Sequence, residues 1–188
     1  MKGKAIILVC LLGIAMAMTI APVSAASASM GILGSIPQAV SITVTTPAAG
    51  TLNPGSTTTY LPTITATSNE GFTISVSDNT GRAALTLGNM SNVLIATPTA
   101  YLTPATMLST PISVAGTTQV SPPVTAAPTA GGAGNAINAT PQLVYTGTSA
   151  ITSDLLPLTI SQPVLVTDTV LPTNQEYRID LTFTITNS

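Results

Sequence analysis

Apolar and polar side chains alternate with a period of two along much of the chain after residue 40. The clearest run is at the C-terminus. Tyr177, Ile179, Leu181, Phe183 and Ile185 alternate there with Arg178, Asp180, Thr182, Thr184 and Thr186. One apolar face and one polar face over ten residues predict a half-buried strand of an antiparallel sheet. Phe72, Ile74 and Val76 alternate with Thr73, Ser75 and Ser77, Ile64 and Ala66 with Thr63, Thr65 and Thr67, and Ile42 and Val44 with Ser41, Thr43 and Thr45. No comparable run has the 3.6-residue period of a helix.

Turn-forming clusters separate the runs. Thr46 to Gly50 and Asn53-Pro54-Gly55 close the first strand, and Asp78-Asn79-Thr80-Gly81 ends the one opened by Phe72. Ser68-Asn69-Glu70-Gly71 has the spacing of a short hairpin link between the runs on either side. Leu85 to Leu94 and Tyr101 to Leu108 are weaker strand candidates. Leu143 to Tyr145, Leu155 to Ile160 and Val164 to Val166 read as further strands, with Pro157 and Pro163 implying edges or breaks. Residues 121–141 are almost entirely Pro, Ala, Gly, Thr and Asn, which predicts a flexible loop or insertion. Many short strands between Gly/Pro turns give an all-β fold, an antiparallel β-sandwich of immunoglobulin-like or jelly-roll-like kind, as one domain over residues 41–188.

The N-terminus reads differently. Lys2 and Lys4 precede an apolar run from Ala5 to Ile20, Pro22 ends it, and Val23-Ser24-Ala25 places small residues at a cleavage point. This is the pattern of a secretory signal peptide over residues 1–25, cleaved after Ala25. Cys10, the only cysteine, lies inside the apolar run, so the processed chain would carry no disulfide and no thiolate metal site. Residues 26–40 form an apolar, extended lead-in to the domain. The stretch Ser29 to Val44 either builds the first strand of its own sheet or adds a strand to a neighbouring copy.

Composition narrows the function. Charged residues make up 5 % of the chain, against about a quarter in an ordinary soluble domain. Past the leader, Arg82 and Arg178 stand against six acidic residues, a net charge of about −4. Two arginines cannot build a phosphate-binding surface, so nucleic acid is excluded as a main partner. Insertion into a membrane after signal cleavage is not expected either. Threonine supplies roughly a fifth of the processed chain, well above its usual share. It suits strands, and its hydroxyl faces water without charge.

The groups that catalysis needs are missing. The chain has no histidine, and no lysine or cysteine past the leader, so its serines have no base to activate them. No enzymatic activity and no cofactor are expected. Calcium is the one metal to weigh, at Asp78, Asn79 and Glu70. The spacing matches no calcium loop, an Asx turn accounts for Asp78, and no metal site is assigned. Asn89-Met90-Ser91 and Asn138-Ala139-Thr140 are N-glycosylation sequons, at Asn89 and Asn138. Tyr60 and Tyr101 are loop aromatics able to stack on a sugar, or to pack in the core.

Two stretches carry a family resemblance. Thr67 through Asp78 resembles the central hairpin of secreted WxL-like surface β-sandwich proteins, in which an aromatic follows a glycine and opens an alternating strand. Gln162 through Asp168 and Tyr177 through Thr186 look like the closing strands of that group and of similar archaeal cell-surface proteins. The chain has no tryptophan, so the Trp-x-Leu motifs that name the family are absent. The resemblance implies cell-surface attachment and extracellular assembly. Two functions are compatible with these features. One is a secreted structural protein of the cell surface that associates with its own copies or with the envelope as a filament, surface-layer or matrix subunit. The other is a non-catalytic binding module for a wall polymer, a glycan or a partner protein.

Overall fold

A computed structural model describes residues 36–78, 87–132 and 134–188. The expected signal peptide over residues 1–25, its expected cleavage point after Ala25, residues 26–35 of the lead-in and Asn79 lie outside the described residues. The chain divides into two units, Met1–Ile36 and Pro37–Ser188, and every described strand belongs to the second.

Every regular element among the described residues is a strand. In chain order these are β1 (Val40–Val44), β2 (Ser56–Tyr60), β3 (Thr63–Ser68), β4 (Phe72–Asp78), β5 (Ser91–Leu94), β6 (Thr97–Tyr101), β7 (Ser113–Gly116), β8 (Val124–Ala126), β9 (Ala130–Gly131), β10 (Gln142–Gly147), β11 (Ile151–Val164), β12 (Gln175–Arg178) and β13 (Leu181–Asn187). One sheet has the order β1-β3-β11-β7-β9, with β2 also on β11. A second has the order β13-β4-β10-β8, and a small third the order β12-β5-β6. All named strand pairs are antiparallel. The first two sheets face each other across the main core, the sandwich that the alternation predicts.

The inward residues are those the period-two reading selects. Ile64 and Ala66 of β3, Phe72, Ile74 and Val76 of β4, and Leu156, Leu158 and Ile160 of β11 are buried in one cluster. Val40–Val44 pairs at home with β3 and forms the first strand of its own sheet. The link at Ser68–Gly71 differs from expectation. β3 pairs with β1 and β11, whereas β4 pairs with β10 and β13, so the link is an arch from one sheet to the other and not a hairpin. The apolar faces of β3 and β4 therefore meet across the core instead of lying side by side.

The two prolines do not break the sheet; Ile151–Val164 is one strand. The N–H of Leu158 donates to the carbonyl of Pro62 at 2.9 Å, so even-numbered residues here point their backbone groups toward β2. Odd-numbered residues point toward β7, which pairs only with residues 158–161. Pro157 and Pro163 sit just beyond the two ends of that short ladder, where no N–H is needed. At the Pro157 end the Tyr145 hydroxyl takes over. It donates to the Pro157 carbonyl and accepts from the Thr117 N–H, the latter at 2.9 Å. Tyr145 is fully buried, and its ring fills the space a side chain on Gly116 would need. Tyr145→Phe strands both backbone groups and is expected to lower unfolding free energy by about 1–2 kcal/mol, read by urea denaturation.

A bulge sets the start of β11. Ile151 lies opposite Ser68 and Asp154 opposite Ala66, so β11 advances three residues while β3 advances two. The extra residue flips the parity and lets both Ile151 and Leu156 face inward. Ser153 takes a left-handed φ of 53° there.

Residues 121–141 also differ from expectation. They contain β8 and β9, and Val124, Ala130 and Ile137 are core residues. Small side chains here allow close backbone approach. Gly131 has φ 77°, and a Cβ on it would lie 2.4 Å from the Ile112 carbonyl oxygen. Beyond Tyr101, where a strand to Leu108 is predicted, β6 ends and irregular chain takes its place.

Candidate functional site

The site begins with an imbalance between strands. Among the described residues β1 and β13 are the terminal strands of their sheets, and they lie next to each other on one flank of the sandwich. Val44 lies opposite Ile64, Ile42 opposite Ala66 and Val40 opposite Ser68. Residues directly opposite share a face, and Ile64, Ala66 and Ser68 are buried, so these three β1 side chains point to the core side. Yet Val40 is 44 % exposed and Val44 37 %. On β13, Phe183 lies opposite Val76 and Ile185 opposite Ile74. Those partners are fully buried, while Phe183 and Ile185 are only half-buried. The core is uncovered along this flank.

The flank opens into a groove of about 900 Å³ at the Val44 end of β1. Its apolar lining includes Met90, Leu108, Ile112, Ile160 and Val164, with Tyr60 and Leu52 beside them. The chain from Gln175 to Leu181, together with Phe183, forms one long side. Thr45 to Gly50 forms another, close enough that a Cβ on Gly50 would meet the Tyr60 ring at 2.9 Å.

Two carboxylates at the groove, Asp168 and Asp180, are held by hydrogen bonds from neighbouring groups. Asp168 is 8 % exposed. Its Oδ1 accepts from the Ser109 N–H at 2.9 Å and the Ser109 hydroxyl at 2.6 Å, and its Oδ2 accepts from the Leu165 N–H at 2.7 Å. Burial raises the carboxyl pKa, but these three bonds to the ionised form outweigh it and hold the group below the usual aspartate value. Asp180 Oδ1 receives Arg178 Nε at 2.8 Å and Nη2 at 2.6 Å, and its Oδ2 receives the Tyr101 hydroxyl at 2.8 Å. That side-chain bond to Asp180 raises the guanidinium pKa further above its ordinary value, against the opposing effect of burial. The pair is about one-third exposed, so its energetic weight is small and its effect is to fix the rim. The Tyr60 phenol is raised by burial; Tyr177 is raised by burial and then by the charge on Asp168.

The residues singled out from sequence fall in different places. Tyr60 ends β2 and lines the groove, while Tyr101 is tied to Asp180. Glu70 and Asp78 sit at opposite ends of β4, and Asp78 Oδ2 accepts the Gly88 N–H at 2.7 Å. Among the described residues no three His, Cys, Asp or Glu side chains converge. Asn89 is buried, and its Nδ2 donates to the Leu108 carbonyl at 2.6 Å, so the folded protein withholds the atom a glycan would take. Asn138 is exposed, and its Oδ1 accepts the Thr140 N–H at 2.8 Å in an Asx turn. Among the described residues no helix is long and apolar enough to cross a membrane.

The carboxylates of the rim that meet a hydroxyl, Asp168 with Ser109 and Asp180 with Tyr101, also accept N–H bonds from Ser109 and Leu165 or from Arg178, which hold them in place in the groove wall. The chemistry of the groove is that of an apolar trough with a hydrogen-bonded rim, suited to receiving an extended apolar segment. Sequence reasoning missed the trough because a strand pattern names a face and not the strand's position in its sheet. The chain matches no family model, no curated protein and no solved structure.

Proposed function

We propose that this chain is a secreted, non-catalytic structural subunit of the cell surface that associates with further copies of itself. The observation that carries the reading is the uncovered inward face of the two terminal strands β1 and β13, which places core side chains in contact with solvent. Contiguous apolar surface of this kind marks an association site. The leader at residues 1–25, the near absence of charge and the lack of His, and of Lys and Cys past the leader, support the same reading. So does the resemblance of residues 67–78 and 162–186 to WxL-like surface proteins. Asn138 is the position for a glycan, should the host attach one. The test is electron microscopy of the processed protein at increasing concentration, with sedimentation alongside. Filaments or lattices are expected; a chain that stays monomeric throughout would overturn the reading.

A second reading is a binding module for a glycan, wall polymer or partner protein, favoured by the Tyr60 ring in the groove wall. Binding to isolated envelope that Tyr60→Ala abolishes, without self-association, would select it.

A further inference from the structure

We propose that the groove receives residues 27–36 of a second copy as an added β-strand along the chain from Gln175 to Phe183, joining copies head to tail. The inference rests on the self-association reading and names its partner and its site.

Three observations carry it. The first is the free edge. Among the described residues β12 pairs only with β5, and β13 only with β4. Residues 175–183 line the groove, and among the described residues the second edge of both β12 and β13 has no strand partner, beside the half-buried inward face of β13. An added strand satisfies the backbone and covers the apolar side chains in one step.

The second is the sequence of the segment. Ala28, Met30, Ile32, Gly34 and Ile36 occupy alternate positions, and Ser27, Ser29, Gly31, Leu33 and Ser35 fall between them. As a strand it carries one apolar face, with small or polar residues at four of the five positions opposite. Ten residues span about 33 Å in extended form, and the nine from Gln175 to Phe183 span about 30 Å.

The third observation selects a second copy over the same chain. Asn69 Oδ1 accepts the Ala39 N–H and Asn69 Nδ2 donates to the Pro37 carbonyl, both at 2.9 Å. Residues 37–39 are therefore held at the Ser68–Gly71 end of the sandwich. The groove opens at the other end, beyond Val44. A segment doubling back from residue 36 to residue 44 would spend about 26 Å of its length in transit, leaving two or three residues for the groove. A second copy meets no such limit. Pro37, to which the segment is joined, and the acceptor groove lie at opposite ends of the Pro37–Ser188 unit. The contact pairs two different surfaces, so it is heterologous and can repeat from copy to copy.

The experiment uses the processed chain, residues 26–188, which has no cysteine. Ile32→Cys protein is mixed with Phe183→Cys protein and treated with a short bismaleimide. Leu181→Cys replaces the second variant if circular dichroism shows Phe183→Cys unfolded. Covalent dimers containing one chain of each kind are expected. In parallel, Ile32→Asp is expected to reduce association at least about tenfold, while Ser29→Asp, on the other face of the segment, changes it less than about twofold. Absence of mixed dimers, with cross-linking found only within single chains of a protein carrying both Ile32→Cys and Phe183→Cys, would overturn the proposal, as would equal association by Ile32→Asp and Ser29→Asp. In both cases normal filaments leave the self-association reading standing. A wild-type chain that does not associate, together with cysteine variants that give no cross-linked dimer, overturns both.

Discussion

Phe72→Ala is expected to lower the unfolding free energy by about 3–5 kcal/mol, a large part of the roughly 5–15 kcal/mol that holds a domain folded. Phe72 is fully buried and opens β4. It lies opposite Gly147 on β10 and opposite Asn187 on β13. A Cβ on Gly147 would come 2.2 Å from the Phe72 ring, so the ring occupies space that the facing strand leaves open. Removing it empties that space between three strands. Neither β10 nor β13 has a side chain at the opposite position able to fill the space, Gly147 having none and Asn187 being polar. Urea denaturation of the two proteins measures the difference; a loss below about 1 kcal/mol would mean that the arch at Ser68–Gly71 is loosely packed against β10 and β13.

The second large effect belongs to Asp168. Asp168→Ala removes the acceptor of the Ser109 N–H, the Ser109 hydroxyl and the Leu165 N–H, and is expected to lower stability by about 3 kcal/mol at neutral pH. The pH dependence has a definite sign. The folded-state pKa lies below the ordinary value of 3.8. The carboxylate's contribution is therefore complete above that value and is lost as pH falls through the lower, folded-state value. Denaturation curves of wild type and Asp168→Ala should differ most at neutral pH and converge in acid below the ordinary value. A gap that stays constant down to about pH 2 would show that packing, and not the ionised carboxylate, is responsible. Asp168 also joins the chain after β11 to the segment before β7, and both border the groove, so the variant should loosen the trough as well.

Much of the fold is legible in the chain because period-two alternation ties each inward residue to a face. Ile64, Ala66, Phe72, Ile74 and Val76 are buried where the alternation places them. β2, with the sequence Ser-Thr-Thr-Thr-Tyr, has no apolar rhythm and is held as a strand by the length of β11 beside it. The link at Ser68–Gly71 reads equally as hairpin or arch, since four residues serve both and the apolar faces meet in either case. Pro157 and Pro163 signal a break only until the sheet neighbour on their N–H side is known to be short. The small residues of 121–141 look loose in composition and are close-packed in space, because Gly131 lets the backbone approach Ile112. The groove is the least legible feature. The alternation from Tyr177 to Thr186 is the strongest in the chain and predicts one strand, yet it is divided between β12 and β13 in different sheets, with Ile179 and Asp180 in neither. Nothing in it says that one edge of β13 has no strand partner among the described residues.

Both ends of the Pro37–Ser188 unit leave from the same pole. Ala39 is tied to Asn69, and the Ser188 N–H donates to the Gly71 carbonyl at 2.8 Å. Tension applied between these two ends pulls β1 away from β3 and β13 away from β4 beginning at that pole, so rungs of each ladder part in succession and the full set never shares the load. Handled this way the molecule peels like a zip at low force. Tension borne instead from this pole to the opposite one runs along the strands and loads many rungs together, which is the direction in which such a sandwich is mechanically strong.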